Sequence, residues 1–549
     1  MGTEFDDLLT RLGTGKWNFL YFFATSYWYF LVPSQTFSGV FLSPSVNITC
    51  RPPSQDSVLR VAEDSCSYFV NKSTDAIEEI PCRNWDYDDS VYSSTLTSDF
   101  DLVCTEAYNR ATYQSIYTFA TIFSSIHAGY IADKFGRRLV VLTTQIIYAA
   151  TGIAMCCANS FPLILALRFL MGCVGLPTIY ILTMEVCEVK YRSVVGILTG
   201  LPWAFGTMAW GGVAYLIRDW RWLQLSVSLP ALFVLPALFI IDESPRWLIV
   251  KGHHDRAIKV LQRAARWNKV TLPSSDELRK IMMNIQEETE NETKNNVKEK
   301  QEKKICSFPK VPTLCRTRPL RIITVIFSLN LFISALVFGG LNLSGANYSA
   351  DPFIYTVLGG LMEVPGYSLT APLINRVGRK WPTIWGYFLS GVTILILVFV
   401  PSEMSWLVMT LAMAGKMCIS GAFMIIIVYM SEMFPTEVRL QGVGATVMAC
   451  HVGATIAPYI TDYLGPLIPW APSVIFGASS LVAGVALLPL HETLSAPMPD
   501  TVNDIPEVAC FGRFFGRLFR RRRRAGTSSL CIVNKGEEME TKEEEREKQ

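Results

Sequence analysis

Apolar stretches of about 20 residues, enough for a helix to cross ~30 Å of hydrocarbon, recur along this chain. Trp17–Leu42, Leu139–Ala158, Trp220–Ile241, Arg321–Leu341 and Ala471–Leu490 are the plainest. A lipid-exposed segment must satisfy every backbone N–H and C=O internally, so a chain with many such stretches folds as a bundle of membrane-spanning helices. Hydropathy places twelve predicted spans at 17–42, 110–132, 139–158, 161–186, 193–217, 220–241, 321–341, 352–374, 381–400, 404–431, 440–465 and 470–490. Half of the 549 residues are hydrophobic and only 17% are charged, a balance too apolar for an ordinary soluble enzyme. The net charge of +2 gives no electrostatic footprint for a nucleic acid.

Basic residues sort the connections. Lys134, Arg137, Arg138, Lys190, Arg192, Arg376, Arg379, Lys380 and Arg439 cluster on one side, whereas the short connections near Asn159, Pro401 and Gly465 carry none. The positive-inside rule then places both termini in the cytoplasm and the segment 43–109 outside. That segment holds Cys50, Cys66, Cys82 and Cys104, with the acceptor triplets Asn47-Ile-Thr and Asn71-Lys-Ser. An even cysteine count beside such triplets reads as an extracellular, disulfide-stapled, glycosylated loop; three pairings of four cysteines remain open. The opening MGTEFDDLLTRLG is polar and acidic and reads as no cleavable signal peptide.

The expected organisation is a cytoplasmic N-terminus (1–16), a six-helix half (17–241) that includes the 43–109 loop, a cytoplasmic loop with amphipathic helices (242–320), a second six-helix half (321–490) and a cytoplasmic tail (491–549). Glu243–Trp267 has helical spacing and basic character, which suits helices lying along the inner membrane surface. The tail runs GRFFGRLFRRRRR (Gly512–Arg524) and then turns acidic; its basic part reads either as an electrostatic anchor to the bilayer or, equally, as a solvated trafficking signal. A third triplet at Asn291 lies on the cytoplasmic side and is rejected as a glycan site.

The chain also repeats itself. FGRR (Phe135–Arg138) answers to VGRK (Val377–Lys380), Glu185 to Glu432, and IDESP around Glu243 to LHETL around Glu492, at nearly constant spacing. Two pseudo-repeated halves are an architecture of transporters. In GYIADKFGRR (Gly129–Arg138), Gly136 allows a tight turn at the helix end. Asp133, Arg137 and Arg138 supply charges for a gate that forms and breaks. Arg379 repeats the pattern, and Glu185 and Glu432, near Arg192 and Arg439, read as gate partners.

These motifs resemble the major facilitator superfamily, and more narrowly its organic cation, anion and zwitterion transporter branch. The branch marks are the Cys/Asn loop, NWDYD (Asn84–Asp88), GYIADKFGRR, YRSVVGIL (Tyr191–Leu198), DWRWLQLSVSLP (Asp219–Pro230), ESPRWL (Glu243–Leu248), MEVPG (Met362–Gly366) and SEMFPTEVR (Ser431–Arg439). The resemblance runs from the first span to about residue 494 and implies an all-α membrane protein of twelve helices in two six-helix pseudo-repeats.

A charge at the centre of a spanning helix costs ~2.5–3.5 kcal/mol on insertion scales, so each one is a functional candidate. By helical rise Glu363, Lys416 and His451 all fall roughly 17–18 Å deep, near the midplane. There they read as substrate ligands, with a structural ion pair between Glu363 and Lys416 as the alternative. Tyr27, Trp28, Tyr29, Tyr180, Trp203 and Phe338 offer aromatic faces to an organic cation. By resemblance Tyr180, Phe338 and Gln114 align with cavity positions of the family. The resemblance also implies that the position of His451 sorts substrates, with Asp in cation carriers and Arg in anion and carnitine carriers; this chain has neither.

The expected function is alternating-access movement of small organic cations or zwitterions across the plasma membrane. An organic anion or carnitine-like carrier is the alternative within the class, and a non-transporting sensor the alternative outside it. GxxxxGK[ST], HExxH and GxSxG do not occur, so the reading includes no enzyme activity and no cofactor or metal. Its partners are a small organic ion, the bilayer and, as a candidate, a second copy of the chain, with no nucleic acid.

Overall fold

The computed structural model describes residues 4–52, 58–62, 65–72, 76–174, 178–234, 236, 241–287, 314, 317–348, 351–401, 403–494, 499 and 502. The Gly512–Arg524 basic stretch, the acidic end of the chain and Asn291 lie outside the described residues.

Each predicted span holds helix, and among the described residues the first, fifth, sixth and eighth are interrupted. The first runs Lys16–Thr36 and resumes as Gly39–Leu42; the second is Tyr108–Phe135 and the third Arg137–Cys156. The fourth comprises Phe161–Val174 and Thr178–Val186, the fifth Val189–Leu198 and Gly200–Leu216, and the sixth Trp220–Ser228 followed by a 3-10 turn, Leu229–Val234. In the second half the seventh span is Arg318–Leu343, the eighth Pro352–Ser368 with Thr370–Arg376, the ninth Lys380–Ile396 and the tenth Ser405–Met433. The eleventh, Arg439–Pro458, widens into a π-helical turn at Tyr459–Leu464, and the twelfth is Ala471–Ala486. By length and composition alone, seven of the described helical stretches are apolar enough to cross a membrane. The second span falls short because Thr, Ser and Tyr recur within it, and the twelfth has only 16 residues.

Local sequence explains where the helices start. Asp219 accepts from the N–H groups of Arg221 (3.0 Å) and Trp222 (3.1 Å) and so caps the sixth span. Asp351 caps the eighth in the same way, accepting from Phe353 (2.8 Å) and Ile354 (3.1 Å), with Pro352 at the first helical position. Ser244 accepts from the Trp247 N–H (3.3 Å) and opens Pro245–Val250, again with proline first.

The loop after the first span contains strands that sequence reading did not anticipate. β1 (Ile48–Cys50) pairs antiparallel with β5 (Trp85–Tyr87), with Cys50 opposite Trp85. β2 (Val58–Val61), β3 (Ser67–Lys72) and β4 (Ala76–Pro81) form a second antiparallel sheet, with Phe69 opposite Glu79. Cys50 bonds to Cys82 and Cys66 to Cys104, which selects one of the three pairings. Asn47 is exposed at the start of this region and Asn71 lies in β3. Trp220 Nε1 donates to Asp99 (2.9 Å), holding the base of the loop against the sixth span.

At the opposite end of the bundle, helix Glu4–Leu12 buries Phe5, Leu8, Leu9 and Leu12 against helix His254–Asn268 and its neighbours. The described N-terminal segment and Glu492 therefore share the end of the bundle that also holds Arg137 and Arg379.

Candidate functional site

Two charge clusters form at that end, one in each half. Arg137 binds Asp133 (2.8 Å) and Glu185 (3.1 Å) through Nη2, while Nη1 donates to the Ala132 carbonyl (3.3 Å). Arg379 binds Glu432 at 2.8 Å and donates through Nη1 to the Ile374 carbonyl (3.1 Å). The arginines are 13% and 17% exposed, which shields both pairs from much of the solvent screening that weakens surface ion pairs.

A further carboxylate completes each cluster. Glu243 accepts from the N–H groups of Arg137 (2.9 Å) and Arg138 (3.1 Å), and Glu492 from those of Arg379 (2.8 Å) and Lys380 (3.0 Å). Glu243 thus caps the first turn of the third span and Glu492 that of the ninth, where unpaired N–H groups and the helix dipole favour negative charge. Gly136 (φ +96°) and Gly378 (φ +99°) adopt the left-handed backbone that makes the approach possible, and a Cβ on either would run into that carboxylate. Sequence reading did not give Glu243 and Glu492 this role, although the IDESP–LHETL echo carried the signal.

Glu185 and Glu432, expected as gate partners near Arg192 and Arg439, take Arg137 and Arg379 as their ion-pair partners. Each acid reaches across to the arginine after the glycine turn, because its helix end packs against that turn. Arg192 instead donates to the Cys187 carbonyl (3.1 Å) and pairs with Asp6 of the N-terminal helix (2.9 Å). Arg439 donates to the Phe434 carbonyl (3.1 Å) and to Thr436 (3.2 Å).

Deeper in the second half, Glu363 and Lys416 are fully buried and paired at 3.2 Å. Lys416 Nζ also donates to Asn342 Oδ1 (2.7 Å), and Tyr367 donates to the other Glu363 oxygen (3.3 Å). The ammonium lies over Gly359, where a Cβ would collide with it. This is the interhelical ion pair weighed above, and it ties the seventh, eighth and tenth spans together.

His451 does not join that pair. Its Nδ1 lies 3.0 Å from Thr121 Oγ1, which belongs to the second span of the opposite half. Thr121 Oγ1 also lies 2.6 Å from the Thr118 carbonyl; with its one proton on that bond, Thr121 accepts from His451 and Nδ1 carries the imidazole proton. Nε2 is then a lone-pair acceptor, and it is buried without a hydrogen-bond partner among the described residues. A buried acceptor without a partner is costly and invites a donor.

The halves meet along this line toward the loop end. Ser115 donates to the Thr455 carbonyl (2.7 Å) and Thr112 meets Tyr459 Oη at 3.2 Å. Phe41 of the first half stacks on Phe353 of the second, with centroids 5.1 Å apart and planes 4° from parallel. Trp203, Phe37, Phe338 and Phe423 form a chain of edge-on rings across the same boundary, at 6.1, 6.2 and 5.8 Å. Sequence reading named Trp203 and Phe338 but missed Phe37 and Phe423, which no charge or motif sets apart in apolar helices.

The remaining candidates lie elsewhere. Tyr180 packs edge-on against Tyr29 within the first half (6.2 Å). Gln114 is buried and accepts from the Gly39 N–H (2.9 Å) while donating to the Thr36 carbonyl, which holds the break in the first span. Trp28 packs against Tyr148 (4.8 Å), and Tyr27 donates to the Pro230 carbonyl (2.8 Å). Arg168 is fully buried, donates to both oxygens of Gln35 and to Ser38, and lies over the rings of Tyr113 (4.6 Å) and Tyr117 (4.9 Å).

The family model for sugar (and other) transporters matches residues 82–495. The chain is 30% identical over 527 residues to the organic cation transporter protein of Drosophila melanogaster, covering 91% of this chain and 94% of that one. It is 32% identical over 432 residues to human solute carrier family 22 member 2, covering 77% and 74%. Rabbit organic anion transporter 3 is 29% identical over 526 residues, covering 91% and 93%. Among solved structures, the inward open conformation of the xylose transporter XylE from E. coli superposes with a TM-score of 0.61 at 15% identity, covering 88% of this chain and 98% of that one. That likeness bears on the fold alone.

Proposed function

Because the chain belongs to the organic cation, anion and zwitterion transporter family of the major facilitator superfamily, we propose that it carries small protonated amines and related cations or zwitterions across the plasma membrane, with both termini in the cytoplasm. The family makes it a multi-pass membrane transporter of organic ions and not an enzyme.

The observation that carries the substrate reading is His451 Nε2, buried beside the junction of the two halves without a hydrogen-bond partner among the described residues, and an acceptor when the proton is on Nδ1. A neutral imidazole with its proton on Nδ1 takes the acceptor role that the resemblance assigns to an acid at this position, without the acid's charge. It therefore suits a substrate that brings both a positive charge and an N–H donor. Charge compensation would come from rings such as Trp203 and Phe338 and from Glu363 when Lys416 releases it in another state of the cycle. Alternating access would open the loop end, now sealed by Ser115–Thr455, Thr112–Tyr459 and Phe41–Phe353. Closure of the opposite end would draw on the clusters around Arg137 and Arg379.

One observation favours the zwitterion over the simple cation. Arg168 donates to Gln35 and Ser38 and has no carboxylate within ion-pair distance among the described residues, so a carboxyl group of the substrate would be welcome near it.

Uptake in transfected cells tests the reading with a primary amine, its quaternary analogue, an organic anion and carnitine. His451→Ala should lower uptake of the primary amine about tenfold or more, the worth of one hydrogen bond to a charged donor, and leave the quaternary analogue nearly unchanged. Uptake of anions alone, or equal losses for both amines, would contradict it.

A further inference from the structure

A cavity of about 510 Å³ opens where the second and third spans leave the bundle, at the end that holds Arg137 and Arg379. One wall is apolar and continuous with the spans: Phe135 and Leu139 are about half exposed, and Leu142 lies behind them. The facing wall is helix His254–Asn268, which presents Arg256 and Lys259 to the cavity, and Arg138 closes the back.

The charge balance of this cavity is one-sided. Its two acids already have partners: Asp242 is paired with Arg263 (2.7 Å), and Glu243 is engaged by the N–H groups of the third span. Arg256 and Lys259 are exposed and form no ion pair among the described residues. They also belong to a longer stripe, since Arg256, Lys259, Arg263 and Arg266 recur every three or four residues along one face of the helix. The opposite face buries Ala257, Leu261 and Ala264.

We propose that this cavity holds the phosphate headgroup of an anionic glycerophospholipid from the adjoining leaflet. Arg256 and Lys259 bind the phosphate, and the acyl chains run along Phe135 and Leu139 onto the third span. The pairing of a basic recess with an exposed apolar wall selects a lipid over a soluble anion, because the apolar wall gains nothing from free phosphate. The acidic end of the chain matches the charge of the recess but not its apolar wall.

The test uses the full-length protein purified in detergent with equal amounts of phosphatidylserine and phosphatidylcholine, with retained lipid read by native mass spectrometry. The wild type should retain phosphatidylserine preferentially. Arg256→Gln/Lys259→Gln should lower that retention on the order of tenfold, with unchanged phosphatidylcholine and an unchanged melting temperature. Lys280→Gln, an equally exposed cation outside the cavity, should change nothing. Equal retention by the double variant, an equal loss in Lys280→Gln, or displacement of the lipid by equimolar glycerol 3-phosphate would overturn the assignment. So would a tenfold rise in retention on removing residues 536–549, which would give the recess to the tail.

Discussion

Arg137 and Arg379 occupy matching places in the two halves and are held almost identically, whereas the two cations buried deeper in the bundle are not. At the gates, both arginines bind a carboxylate from the helix end across the turn, both donate to a carbonyl five residues back, and both follow a left-handed glycine capped by a distant glutamate. In the interior, Arg168 is surrounded by Gln35, Ser38 and two tyrosine rings with no acid among the described residues, while Lys416 faces Glu363. The contrast teaches which parts the two-fold repeat constrains. The clusters after the two glycine turns keep one geometry, whereas the interior holds an arginine without an acid among the described residues in one half and a charge pair in the other. On the proposed function, the first would make and break alike in each half and the second would meet an asymmetric substrate.

Breaking the pair should have the largest effect. Glu363→Gln leaves a buried ammonium without its acid and should cost about 3–5 kcal/mol, read as a fall in the melting temperature of the purified protein. Adding Lys416→Met should recover most of it. Arg168 has no acid whose removal could rescue it in that way, so no equivalent double variant exists in the first half.

The gates should respond in parallel and more weakly. Gly136→Ala and Gly378→Ala both force a side chain into a left-handed turn against a carboxylate, at about 1–3 kcal/mol each. Melting temperatures that fall by similar amounts support equivalent gates; a loss in one half only would break the comparison.

The smallest effect sharpens it. Asn375 stands where the first half has Asp133, and Asp133 is 71% exposed. Asp133→Asn gives the first gate the composition of the second and should change stability by less than about 0.5 kcal/mol. A larger change would mean that the third carboxylate matters to the first gate in a way the second half does without.

Much of this was legible in the sequence because it depends on local pattern. Hydropathy marks the spans, since a membrane helix must be apolar along its length. Gly136 and Gly378 stand out because few residues tolerate positive φ. Partnership was less legible. Glu185 lies seven residues before Arg192, yet it pairs with Arg137, because helix packing rather than chain distance sets the contact. Asp6 could not be matched to Arg192 without knowing that the N-terminal helix folds under the bundle. The proton on His451 Nδ1 depends on the direction of the Thr121 hydroxyl, which no motif records.

Alternating access requires the sealed loop end to open, and a cross-link there tests that directly. Ser115→Cys/Thr455→Cys places a cysteine on each half at one of the hydrogen bonds of the seal. Amine uptake should be lost once the pair is oxidised and return on reduction, while the wild type treated identically keeps its uptake. Full uptake by a completely cross-linked population would contradict the account.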